Sequence, residues 1–236
     1  MQFVRSQDLK PGMRLAKPIY NKMGVLLYER NTKLTLQSIN SIDNFGLIGI
    51  FILEPAEPVP PLSKEDLEFE QFQTIYMFKL KDCMDKLLAQ KNIPAITELV
   101  QNIYTHYGAL DHKLNFTQNL RSSADFVYKH SISVAILSAM IANAMHIEPE
   151  DSQSLIAASL LYDFGYLSVP KSILDKNEDL SASDRDLIQL KSEHGYEIIR
   201  PHDAELGLND TSLESIQNMI FEYHATISPR LPKPPV

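Results

Sequence analysis

A run of prolines separates two parts of this chain that follow different periods. Pro55, Pro58, Pro60 and Pro61 crowd the stretch EPAEPVPPLSKED, and such a composition favours an extended, semi-rigid linker. From Ser63 to the end the apolar residues recur at helical spacing and everything reads as helix. Before the prolines the chain reads instead as short strands and turns. The expected fold class is therefore mainly α, a helical domain preceded by a small α+β module.

In the N-terminal part LKPGM is a turn signal, IYNKMGVLLY reads as two strands around a Met-Gly turn, and GLIGIFIL reads as a buried strand. Between them Thr35 to Phe45 is predicted to be a short amphipathic helix, with Leu36, Ile39 and Ile42 at helical spacing and Gly46 as its stop.

Past the linker, Ser63 is a candidate N-cap, with Glu65, Asp66 and Glu68 placed where carboxylates suit the helix dipole. A long helix to about Gln90 follows, and Pro94 is expected to open a second. Residues Ala124 to Met145 place Val127, Val134, Leu137, Ile141 and Ala144 on one stripe. A shorter helix from Pro149 or Glu150 leads to LLYDFG, and two more, Ser183 to about Arg200 and Thr211 to about Tyr223, follow. The expected division is 1–54 for the module, 55–62 for the linker, 63–123 for connecting helices and 124–236 for the main helical domain.

Composition narrows the chemistry. Cys83 is the single cysteine in 236 residues, so neither an internal disulfide nor a cysteine-rich zinc site can form, and any metal must sit on histidine and carboxylate. A net charge of −8 argues against a nucleic-acid polymer as partner, because backbone affinity comes from clustered Lys and Arg. No apolar run reaches the ~18 residues of a membrane span. The opening MQFVRSQDLKPGM lacks the apolar stretch of a secretory signal, so a cytoplasmic address is expected.

Three segments, KHSISVAILSAMIA, LLYDFGYLSVPKSIL and KSEHGYEIIR, resemble the HD-GYP family, a branch of the HD metal-dependent phosphohydrolases that cleaves cyclic di-GMP. The N-terminal module, with LKPGM, GVLL and a TKLT helix, is similar to one that commonly precedes the domain in this family. The resemblance covers most of the chain and implies a helical HD-type fold. It also implies two or three iron or manganese ions bridged by an aspartate, where a metal-bound hydroxide attacks phosphorus and a second metal stabilises the developing charge.

Residue by residue, the ligands depart from that pattern. His130 matches the first family histidine, but the hallmark His-Asp pair is here Tyr162 and Asp163. The phosphate-holding lysine becomes Tyr166, and the next histidine ligand becomes Lys191. A protonated ammonium cannot ligate a divalent ion and would bring positive charge to its place. Tyrosine can ligate iron as a phenolate, at a cost set by its pKa of about 10. A family pair of histidines falls at Tyr223 and His224, and the name-giving loop is replaced by Ser228, Pro229, Arg230, Leu231 and Pro232. The chain stops at Val236, so the C-terminal part of the family domain, with another aspartate ligand, is absent from it.

The expectation drawn from these substitutions is a catalytically inactive, regulatory or scaffold relative in bacterial second-messenger signalling that works by protein-protein interaction. No cofactor or metal is expected; His130 and Asp163 are read as inherited polar residues hydrogen-bonded to each other or to Tyr162 in a half-buried groove. If a metal binds, it uses His130, Asp163 and His224, with His194 as an outside candidate and Fe or Mn as the ion. The expected partner is a signalling protein such as a diguanylate cyclase, with a homodimer open. Two alternatives stand beside this: a cyclic di-GMP sensor without hydrolysis, and a residual cyclic di-GMP phosphodiesterase. Tyr162, Tyr166 and Tyr223 either fill vacated volume, the favoured reading, or line a surface that stacks a guanine base. Arg230 and Lys233 are read as solvated rather than phosphate-binding, and His106, His112, His146 and His202 match no family position.

Overall fold

Alternation of apolar residues sets the N-terminal sheet. In the computed structural model, β1 (Gln2–Arg5), β2 (Arg14–Leu15), β3 (Ile19–Tyr20), β4 (Leu26–Tyr28), α1 (Leu36–Asn44) and β5 (Gly49–Leu53) succeed one another. The structure describes all residues except 60, 62, 111–113, 115, 117–124, 175, 177–178 and 228–236, and for 222–227 only the backbone. Strand β5 is central, antiparallel to β1 and β2, while β3 and β4 pair as a separate hairpin. Ile50 and Ile52 alternate toward a core that includes Leu15, Ile19, Leu34 and Ile42. Thr35 caps α1 through a reciprocal pair of bonds with Ser38, and Gly46 ends it at φ 71°. Leu36 departs from the expected apolar face: it is 69% exposed, because the capped first turn points outward and the helix seats itself on Ile42, with Ile39 partly buried.

The helices are α2 (Lys64–Ala89), α3 (Thr97–Tyr107), α4 (Asp125–Ala144), α5 (Pro149–Leu161), α6 (Lys171–Leu174), α7 (Ala182–Ile199), α8 (Asp203–Leu206) and α9 (Asp210–Ile227). Short 3-10 turns lie at Ser6–Asp8, Phe164–Ser168 and Arg200–His202. The chain is thus mainly helical after a small sheet region. Ser63 and Asp66 exchange bonds at the start of α2, and Ser181 with Asp184 does the same for α7. Helix α3 begins three residues after Pro94, at Thr97, since the backbone N–H of Ile96 is held by the Leu206 carbonyl. Among the described residues no helix is long and apolar enough to cross a membrane.

Two compact units emerge: Met1–Phe78 with His112–Asp125, and Lys79–Asp111 with Phe126–Val236. In the first, a buried Lys17–Glu70 ion pair ties α2 to the segment between β2 and β3. In the second, α5 packs on α3 and α9, and α7 packs on the turn Phe164–Ser168.

The face of α4 corrects the sequence reading. Its buried side carries Tyr128, Ile132, Ala135, Ile136, Ala139 and Ala142, whereas Leu137 and Ile141 of the expected stripe are 46% and 58% exposed. The helix is apolar nearly all round between Ser131 and Ala144, so spacing alone cannot choose the inward face. Small residues choose it instead: Ala135, Ala139 and Ala142 admit close neighbours, and Ser138 bonds to Ser159 of α5.

Candidate functional site

The candidate site grows from the end of α5. Leu160 and Leu161 are fully buried, and the helix closes with the Tyr162 N–H on the Ala158 carbonyl. The chain then tightens into the turn Phe164–Ser168, with the Tyr166 N–H on the Asp163 carbonyl. Phe164 is driven wholly into the core, which leaves Tyr162 and Asp163 facing α4. A Cβ on Gly165 would lie 2.6 Å from the Ser192 Cα, and one on Gly195 would lie 2.7 Å from the Gly165 Cα. Only glycines let α7 lie this close against the turn, and that contact fixes where Asp163 sits.

Helix α4 supplies His130. Its Nε2 is 3.0 Å from the Tyr162 hydroxyl and 3.7 Å from Oδ2 of Asp163. The imidazole stacks on Phe126, one turn earlier, with centroids 5.3 Å apart and planes 12° from parallel. Burial pushes the Asp163 carboxyl up to about 6, while a hydrogen bond from Tyr162 pulls the other way. Burial also lowers the His130 pKa, favouring the neutral ring.

Tyr162 links the two groups: its hydroxyl donates to the Asp163 carboxylate and lies 3.0 Å from Nε2 of His130. With that hydrogen spent on the carboxylate, the phenol oxygen is an acceptor for the Nε2–H tautomer of the imidazole. As a chemical device the arrangement holds a neutral imidazole and a largely desolvated carboxylate in one orientation.

The other residues picked from sequence are placed differently. Tyr166 packs its ring against the cluster of Val169, Ile173 and Ile188. Lys191 is half-buried on α7, and its backbone carbonyl is what presses on Gly165. His194 is exposed and lines a groove of about 340 Å³ between α7 and α9 with Glu193, Glu197 and Phe221. Tyr223 and His224 belong to α9 by backbone, with their side chains outside the described residues, and Arg230 and Lys233 lie outside them altogether. Among the histidines given no role, His106 meets the Asn102 carbonyl and His202 pairs with Glu205; His112 is outside the described residues.

Sequence reasoning missed Phe126 and the two glycines. Phe126 stands four residues before His130, a spacing that puts both on one helical face. Gly165 and Gly195 left no signal of mutual contact, being close in space but thirty positions apart in the sequence.

The residues from 115 to 227 match the family whose description is HD domain. Searches among curated proteins and among solved structures return no match. The match spans just under half of the 236 residues, and over that stretch the chain is similar to HD domains.

Proposed function

We propose that this HD domain has lost phosphodiesterase chemistry and that the protein serves bacterial second-messenger signalling by holding a partner protein, such as a diguanylate cyclase. The observation that carries the reading is the place of Tyr162. Its hydroxyl stands between His130 and Asp163, within 3.0 Å of the imidazole nitrogen, and engages both groups that a metal would need as donors.

Iron or manganese, the ions the family implies, do not fit these residues as arranged. Nε2 of His130 is already engaged by the Tyr162 hydroxyl at 3.0 Å, and the neighbouring position offers a buried phenol, 5% exposed, in place of an imidazole. A phenol with an ordinary pKa of about 10 would have to ionise in an apolar setting to serve.

The test is elemental analysis for iron, manganese and zinc on untagged protein purified without chelators, run beside a cyclic di-GMP hydrolysis assay and a binding screen with diguanylate cyclases. The expected result is metal-free protein, no turnover and a captured cyclase. A stoichiometric metal lost on Asp163→Ala, together with turnover, would instead establish the residual phosphodiesterase. A sensing role is favoured by one feature, the flat Phe126–His130 stack, with the His130 side chain 36% exposed, against which a guanine base can stack. Calorimetry with cyclic di-GMP at high micromolar concentration separates that role: absence of heat removes it.

A further inference from the structure

From Ser131 to Ile147 the chain carries no Asp, Glu, Lys or Arg, in a protein that is 22% charged. Most of this stretch is α4, and its outward side presents Leu137, Ile141 and Met145, which are 46%, 58% and 65% exposed. They are four residues apart and so form one continuous ridge. We propose that this ridge is a homodimer interface, in which α4 of one protomer packs on α4 of a second copy about a two-fold axis near Ile141.

Charge singles out a second copy. The ridge itself offers nothing to select an acidic or basic partner, and between Leu137 and Met145 two chains of net charge −8 can touch without setting carboxylate against carboxylate, the exposed Glu148, Glu150 and Asp151 lying beyond its end. The ridge is also self-complementary: rows four apart on identical helices interdigitate, the commonest helix-packing class. Three side chains of this size match the ~300–600 Å² of the largest apolar patch on a typical monomer, about half of the ~800 Å² per partner of a standard interface. The dimer is accordingly weak and concentration-dependent. This inference does not rest on the fate of the His130 site.

Sedimentation equilibrium of the full chain across micromolar to millimolar concentration tests it. The expected result is a monomer–dimer equilibrium that strengthens as salt screens the net charge and weakens at least tenfold in Ile141→Lys. That site is exposed, and lysine is a good helix former, so the variant keeps its circular dichroism melt. Ile141→Cys gives an independent readout, because Cys83 is buried with its thiol pushed up to about 12 and stays silent. Mild oxidation should join two Ile141→Cys chains through residue 141. A chain that stays monomeric throughout, or a dimer unaffected by Ile141→Lys and not linked through Ile141→Cys, overturns the proposal.

Discussion

Gly195 and Gly165 meet backbone to backbone, so that a Cβ on Gly195 would stand 2.7 Å from both the Cα and the N of Gly165. The contact joins the middle of α7 to the turn that follows Asp163, and it turns a propensity argument upside down. Replacing a helical glycine by alanine ordinarily gains ~0.5–1 kcal/mol. Here the new methyl meets backbone atoms that cannot swing aside, and overpacking of this kind costs about 1–3 kcal/mol. Gly195→Ala is expected to lower the urea midpoint. A higher midpoint would show that α7 and the turn are not in contact.

The Asp163 carboxyl gives stability a pH signature. Its folded pKa of about 6 lies above the ~3.9 of an unfolded aspartate, so the folded state holds the proton more tightly. Between those values the folded chain binds more protons than the unfolded one, and stability falls as pH rises through the window. The gap between the two pKa values corresponds to about 3 kcal/mol, fully lost above pH 6. His130, with its pKa lowered by burial, acts in the opposite sense: its contribution is lost as pH falls below ~6.5. Asp163→Asn removes only the contribution of the carboxyl. It should be more stable than the parent at pH 7.5, with the difference shrinking toward pH 4; an equal difference at both pH values would mean that Asp163 is not desolvated.

Tyr162→Phe deletes one oxygen and strands two groups. The carboxylate loses the bond that opposes its burial, so its pKa should climb further. His130 Nε2 loses its partner at 3.0 Å, and because the ring is 36% exposed water can take the vacated place, so the loss is about the 0.5–1.5 kcal/mol of a typical hydrogen bond. Carbon-13 detected titration of the Asp163 carboxyl reads the first effect and denaturant unfolding the second. A titration identical to that of the parent would show that the hydroxyl does not bridge the pair.

What was legible in the sequence was whatever a local rule governs. Thr35 and Ser63 announce helix starts because capping is settled within three residues, and the hairpin and the strand GLIGIFIL follow from alternation and turn residues, whereas the cap of α7 lies at Ser181, two residues before the expected start at Ser183. The inward face of α4 was not legible, since Leu137 and Ile141 are as apolar as Ile132 and Ile136 and only the partner helices distinguish them. The candidate site divides in the same way. His130 and Asp163 were found through their resemblance to a known pattern, and Tyr162 was recognised as a substitution. The expected bonding of His130 and Asp163 to each other or to Tyr162 leaves open which contact forms; that the hydroxyl reaches both is a matter of where α4 and α5 lie, which no spacing encodes. Tyr166 likewise turned toward Ile173 and Ile188 because the turn carrying it points that way.

The Lys17–Glu70 pair makes the last test a comparison of three variants. Both side chains are nearly inaccessible, at 5% and 9% exposed, and desolvating two charges costs about as much as their attraction returns. The hydroxyl of Tyr20 feels the same enclosure: burial first, and Glu70 second, raise its pKa. Removing one partner leaves the other charge buried without that counter-ion, which costs ~3–5 kcal/mol. Lys17→Met and Glu70→Leu are each expected to destabilise by that order, while the double variant, which replaces the pair with apolar volume, should return close to the parent. Urea unfolding of all three closes the cycle. If the double variant falls by the sum of the two, the pair is not coupled, and the tie between α2 and the β2–β3 segment rests on packing alone.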